Sequence, residues 1–459
     1  MKKAFFAAIL IVAGFLSWNI FESTYTKQNE VKARLAPSPA NLILISLDTL
    51  RADRLGIYGY SKVTSPHLDS FAKRSVVFDQ VVSVAPWTLP SHVSLFSGLF
   101  PTSHGVVKQK KQKIAPQTEL LAELLSAQGF KTYGFTGGGY VSKAYGFSSG
   151  FEVYINSREL SLGGNEFGAA TSEALKVLQT LPSDQRYFLF LHTYDIHCPY
   201  DPPTELHAQF LAKESTFIDP KRCGSKFYNR NEISHSQVDY LSAGYDGNIR
   251  AVDTVLGDFT AALELRGELQ DTVIAITSDH GEEFFEHGSI GHKRSLHREL
   301  LHVPLIIYIP GGNHKRINAS VSLVDVMPTL MQLLGLQPPQ DIDGVSLLPL
   351  IDGQGIFTVL RQFQLSELDR GKTLRSSWGS KQHLIFNSED SSYLMYNLTN
   401  DPMQKTDLAA TNKTEAEKLK SELQAFIANL KKRSAPAPLP ELPELQHEEL
   451  EQLKTLGYL

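Results

Sequence analysis

At 459 residues, with 42% hydrophobic and 20% charged residues, the chain reads as an ordinary globular protein with ample material for a core. A net charge of −5 gives no basic face for nucleic acid or anionic lipid, which sets those binding classes aside. The two cysteines, Cys198 and Cys223, are too few for a zinc cluster; in an oxidising compartment they can pair and close a short loop, and two buried free thiols are the alternative.

The chain opens on Lys2 and Lys3, followed by an uncharged stretch from Ala4 to Phe21. A basic start before an apolar run predicts a secretory signal or an uncleaved signal anchor. Ser17-Trp18-Asn19-Ile20 is too bulky for a small-residue cleavage site, and the stretch approaches the ~20 residues that span a bilayer, which favours the anchor. Residues 1–21 are read accordingly and 22–39 as a polar linker. The body then lies outside the cytoplasm, held at the cell membrane with a periplasmic catalytic domain, or secreted or periplasmic if the segment is cleaved.

From Asn41 the chain alternates strand-like and helix-like segments. Asn41–Leu47 is an apolar run ending at Asp48, and Val76–Val82 leads to Thr88-Leu89-Pro90-Ser91-His92, where Pro90 suits a first helical turn and Gly98 a stop. Thr118–Gln128 is amphipathic, and Lys131–Phe135 and Tyr187–His192 are strand-like. Asp246 is placed as the cap of a helix reaching Arg266. Thr272–Thr277 and Val303–Ile309 are further strands, with Leu323–Leu334 a helix before Gly335. Strands alternating with helices predict an α/β fold, a large and mostly parallel sheet covered by helices on both faces, across residues 40–352. After Gly353 the segments Val359–Leu365, His383–Asn387 and Tyr393–Asn397 predict a small antiparallel sheet. Thr414–Lys432 completes a C-terminal subdomain (353–434), and a Pro-rich tail with a short helix, Glu448–Leu456, follows (435–459).

Three strands end in ligand-type residues: Asp48, the Asp195/His197 pair, and Asp279-His280. Ligands bind at the carboxyl ends of strands in open α/β sheets. Two carboxylates and an imidazole suit one divalent ion, with Mn or Zn favoured over Ca or Mg because His280 is a nitrogen ligand. Thr88, where a strand connection enters a helix, sits where backbone N–H groups meet an anion; beside a metal its hydroxyl is a usable nucleophile. Taken singly, each strand-end aspartate reads equally well as a turn cap, and Thr88 reads better as a helix cap.

The motifs carry a resemblance. Asn41–Tyr58 (NLILISLDTLRADRLGIY), Ala85–Val106 (APWTLPSHVSLFSGLFPTSHGV), Tyr194–Pro202 (YDIHCPYDP), Tyr245–Glu282 (YDGNIR…TSDHGE), Val303–Pro310, Ser322–Leu350, Tyr396–Leu408 and Leu453–Leu459 together resemble the sulfatase family of the alkaline phosphatase superfamily. The resemblance runs from about residue 40 onward and implies that fold. It also implies Asp48, Thr88, Asp279 and His280 around a metal, His197 at the substrate oxygens or as acid or base, and His292 and Lys293 as leaving-group acid or substrate contact. His92 and Asp195 are expected at the substrate, and Asp195, His197 and His292 form a possible second metal set. Three departures stand out. Sulfatases carry Cys or Ser, converted to formylglycine, where this chain has Thr88, whose carbinol carbon already bears a methyl group and cannot become that aldehyde. His92 replaces the motif arginine. Gly137-Gly138-Gly139-Tyr140 stands where the family has the Gly-Lys-Trp-His segment that binds sulfate. A Thr nucleophile is instead the pattern of phosphoryl-handling relatives. The expected activity is therefore a phosphate mono- or diesterase, or phosphotransferase, using a phosphothreonine intermediate. Its expected partner is a phosphorylated or sulfated small molecule, glycan or lipid head group outside the cytoplasm. The rivals are a sulfuric ester hydrolase and a catalytically silent binding protein.

Overall fold

The computed structural model describes residues 41–107, 112–156, 165–221, 233–353, 361–433, 439–440 and 445–456. The expected signal segment and linker lie outside them. Among the described residues, no helix is long and apolar enough to cross a membrane.

Strand β1 (Asn41–Leu47) is buried along its whole length. Its pleat sends Leu42 and Leu44 into one apolar core and Ile43 and Ile45 into the other, so both faces are covered and the run needs no polar alternation. Around it lie β2 (Val76–Val82), β3 (Lys131–Thr136), β4 (Val153–Asn156), β5 (Tyr187–Thr193) and β6 (Thr272–Thr277). A small hairpin, β7 (Glu283–Phe284) and β8 (Ile290–Gly291), precedes β9 (His302–Tyr308) and β10 (Lys315–Ser322). The eight-stranded sheet has the order β10-β2-β9-β6-β1-β5-β3-β4. Only β9 runs against its neighbours, β2 and β6; the remaining pairs are parallel. The carboxyl ends of β1, β2, β3, β5 and β6 therefore face the same way, and the chemistry collects there.

A second sheet, β11 (Gln364–Asp369), β12 (Thr373–Trp378), β13 (Gln382–Asn387) and β14 (Tyr393–Asn397), is antiparallel in chain order. It shares the core of the large sheet: Leu365, Trp378 and Leu384 pack in the cluster that holds Leu42 and Leu44. Its first strand is Gln364–Asp369 rather than Val359–Leu365, part of which lies outside the described residues, and Thr373–Trp378 was not anticipated.

The long helix also corrects the sequence reading. It runs His235–Leu265 and is capped by Ser234, whose side chain accepts from the Gln237 N–H. Asp246 is buried mid-helix, where it pairs with Arg54 and Lys62, each at 3.0 Å. A buried carboxylate persists only with such partners. A capping residue and an ion-pair residue are the same letter in sequence.

Candidate active site

Asp48 follows β1, Asp279 and His280 follow β6, and Thr88 begins the helix Thr88–Ser97, every residue of which is buried. The structure brings these four together. Thr88 Oγ1 donates to Asp48 Oδ2 at 3.2 Å and lies 3.4 Å from His280 Nε2, which is 3.3 Å from Asp279 Oδ2. Ligand atoms of Asp48, Asp279 and His280 all lie within 4.8 Å of one another. His280 Nδ1–H donates to the Gly281 carbonyl at 2.8 Å, which leaves the Nε2 lone pair turned into the cluster, as on a metal-ligating histidine.

The donor set fits a divalent cation on its own evidence. Asp48 and Asp279 are fully buried, and Asp48 Oδ1 and Asp279 Oδ2 make no hydrogen bond. Burial pushes both carboxyls well up from their ordinary range, and for Asp279 the neighbouring Asp48 charge adds to the rise. Two adjacent carboxylates without water or an internal cation are costly, and a metal ion relieves both costs. Thr49, at the left-handed φ of 60°, turns its N–H toward Asp279 Oδ1 (3.3 Å) and its hydroxyl to the Asp48 carbonyl (2.7 Å). Such backbone strain is retained where surrounding contacts over-determine it.

A second group abuts the first. His197, Glu282 and His292 also bring ligand-type atoms within 4.8 Å of one another, and the His280 and His292 rings are 4.5 Å apart. His197 Nδ1–H donates to the Cys198 carbonyl at 2.7 Å, and His292 Nδ1 is 2.8 Å from Glu282 Oε1. Burial lowers His197 to about 3 and raises Glu282 to about 8, so the imidazole is neutral and the carboxyl holds its proton near neutrality. Lys293 follows His292 at a φ of 80°, and its charge reaches Asp48, His197, His280 and Glu282.

Two expected substrate contacts are engaged by the protein itself. Both Asp195 oxygens accept from the first turn of the helix Glu166–Thr180, from Glu166 N–H at 3.2 Å and Phe167 N–H at 2.8 Å. Asp195 thus acts as a helix cap, and Glu282 takes the place it was given beside His197 and His292. His92 holds the Thr88 carbonyl through Nδ1–H (3.0 Å) and accepts from Ser46 Oγ at Nε2 (2.9 Å), with Nδ1 3.4 Å from Asp279 Oδ2; it braces the nucleophile's helix at the edge of the carboxylate cluster.

The sequence reading missed Glu282, although it stands two residues beyond His280, and His192. His192 is fully buried on β5, where its Nδ1 accepts the Gly137 N–H at 3.2 Å. Its proton therefore sits on Nε2, which faces Asp48 Oδ2 at 3.6 Å. The available signal was a lone imidazole on the face that otherwise carries Phe188 and Phe190.

Fold and site together define a hydrolase of sulfuric or phosphoric ester bonds, and the chain belongs to the sulfatase family: that family's model matches residues 40–336. The model of the C-terminal region of N-sulphoglucosamine sulphohydrolase matches residues 285–433. Among sequence relatives, an ulvan-active sulfatase of Formosa agariphila is 26% identical over 75% of this chain and 71% of its own length. Arylsulfatase K of Xenopus laevis is 23% identical over 88% and 86%. Among solved structures, the phosphonate monoester hydrolase of Agrobacterium radiobacter superposes with a TM-score of 0.72 at 21% identity, covering 86% of this chain and 96% of that one, a likeness of fold.

Proposed function

We propose that this protein is a metal-dependent phosphate-ester hydrolase in which Thr88 is the nucleophile. The observation that carries the reading is the position of Thr88 Oγ1, at a helix N-terminus and within 3.4 Å of both Asp48 and His280. Asp48, Asp279 and His280 would hold the ion, which when bound supplies Lewis-acid stabilisation of developing negative charge.

The chain's own groups do the rest. The Thr88 proton has its acceptor at Asp48 Oδ2, 3.2 Å away, because the His280 Nε2 lone pair is the one that would hold the ion. Thr88 Oγ1 forms a bond to phosphorus as the bond to the leaving alcohol breaks, and Lys293 neutralises charge on the phosphoryl oxygens. The alcohol leaves with a proton held by the His292–Glu282 pair, 2.8 Å apart. Water, giving its proton back to that pair, then displaces Thr88 and restores the hydroxyl. Sulfate transfer lacks an equivalent release here, because a formylglycine hydrate expels sulfate by elimination and a threonine ester cannot.

Sulfate esters are the second reading, favoured by the activities in the names of the sequence relatives. Purified protein, supplied in turn with Mn²⁺ and Zn²⁺, is assayed on matched aryl phosphates, phosphate diesters and aryl sulfates. The phosphate reading expects phosphate esters to have the higher kcat/KM; faster turnover of the sulfates would reverse the assignment. The substrate is placed outside the cytoplasm, as a phosphorylated small molecule, glycan or lipid head group.

A further inference from the structure

The glycine loop after β3 is held by a residue 315 positions further along the chain. Gly138 and Gly139 both have positive φ, 72° and 57°, so the loop is a conformation that few other residues adopt. Gln452, on the helix His447–Thr455, is buried against it. Its Oε1 accepts from the Gly139 N–H at 3.0 Å and from Asn156 Nδ2 at 3.4 Å, and its Nε2 donates to the Gly137 carbonyl. A Cβ on Gly138 would lie 2.5 Å from Gln452 Nε2, so the amide fills the space that the missing side chain leaves. Leu453 and Leu456, from the same helix, enter the main core and fix the helix in place.

The Gly137 carbonyl and N–H are both engaged. The carbonyl takes Gln452, and the N–H reaches His192 Nδ1 at 3.2 Å, which keeps the His192 proton on Nε2, toward Asp48 Oδ2. With the loop released, the ring can take the other tautomer and set a lone pair against the Asp48 carboxylate. Outer partners that orient a metal ligand matter at about 10–100-fold in metal affinity or activity.

We infer that Gln452 is a positioning residue for the metal centre: through Gly137 and His192 it sets the donor that faces Asp48, so that the helix His447–Thr455 is part of the active site's support. This rests on the metal reading above. The test uses the full-length protein and Mn²⁺ alone as probe, by calorimetric titration, with kcat measured alongside. Gln452→Ala is expected to weaken Mn²⁺ binding and lower kcat, each about tenfold. In a His192→Ala background the same change should have little further effect, because the route is already cut. If Gln452→Ala lowers the melting temperature but leaves Mn²⁺ affinity unchanged, or if its effect is undiminished without His192, the inference is overturned. Asp48→Asn serves as the control. Undiminished Mn²⁺ binding there sinks the metal reading itself, whereas loss there with none in Gln452→Ala sinks only the positioning role.

Discussion

At the scale of single residues, the site joins a nucleophile to a pair of carboxyls that the fold holds at a cost. Thr88→Ala is expected to reduce turnover by more than about 10³-fold, while Thr88→Ser keeps part of it because the attacking oxygen remains. Rapid-quench mass analysis of wild type with a phosphate ester should find one phosphate on the peptide around Thr88; wild-type turnover in Thr88→Ala would remove it from the mechanism. Asp279 supports a second prediction. Its folded pKa and that of Asp48 are raised by burial, so the metal-free folded state binds more protons than the unfolded chain. Stability of the metal-free protein therefore falls as pH rises from the unfolded carboxyl range of about 4 through the raised folded values. Asp279→Asn keeps an acceptor for the Thr49 N–H and presents an amide to Asp48, removing a buried carboxyl that the metal-free fold must keep protonated. At pH 7.5 in EDTA this variant should melt about 1–3 °C above wild type and be nearly inactive with metal restored. A lower melting point would mean that Asp279 is stabilising without a cation.

At the scale of elements, the β7–β8 hairpin carries His292 and Lys293 into the site, and its placement depends on the residues between its strands. Arg51 donates to the Glu282 carbonyl at 2.9 Å and to Glu286 at 2.5 Å. His287 bridges Glu299 Oε1 (2.6 Å) and the Gln404 carbonyl (2.8 Å), tying the hairpin to the loop after β14. Burial lowers the His287 pKa, but the Glu299 bond and charge outweigh it and raise the value above 6.5. A raised histidine pKa contributes stability that is complete below the unfolded value and lost as pH rises through the folded one. The unfolding midpoint of wild type should thus decline as pH rises above 6.5 through the raised folded value, and the decline should be smaller in His287→Gln; equal slopes would assign it to other groups. The elements themselves were largely readable. Asn41–Leu47, Val76–Val82 and Thr272–Thr277 fall where the apolar runs put them, because a strand buried on both faces has no alternation to obscure it. Asp48, Asp279 and His280 were readable for the related reason that they end such runs, and Thr88 because it opens a helix inside a family motif. Asp195 was misplaced because a strand-end carboxylate can serve a helix N-terminus as well as a metal. Glu282, His192 and Gln452 were missed because their roles depend on partners far away in sequence.

At the scale of the whole molecule, the active site closes only when distant parts of the chain meet, and one of those parts is a cystine. Cys198 is disulfide-bonded, and the chain's only other cysteine, Cys223, lies outside the described residues. The carbonyl of Cys198 accepts His197 Nδ1–H, so the bonded segment orients an imidazole of the site. Disulfides persist in oxidising compartments and are rare in the cytosol. Together with Lys2, Lys3 and the apolar run to Phe21, this supports our proposal that the body works outside the cytoplasm. A protein expressed with residues 1–39 intact should then show neither cysteine reactive to maleimide before reduction. The same chain lacking those residues, kept in a reducing cytosol, should be labelled at both and turn over substrate several-fold more slowly until oxidised. A periplasm-dependent reporter fused after Pro39 should be active. If the full-length protein carries two reactive thiols, or the reporter works only in the cytoplasm, the export proposal is wrong, while the Thr88 chemistry stands or falls by its own tests.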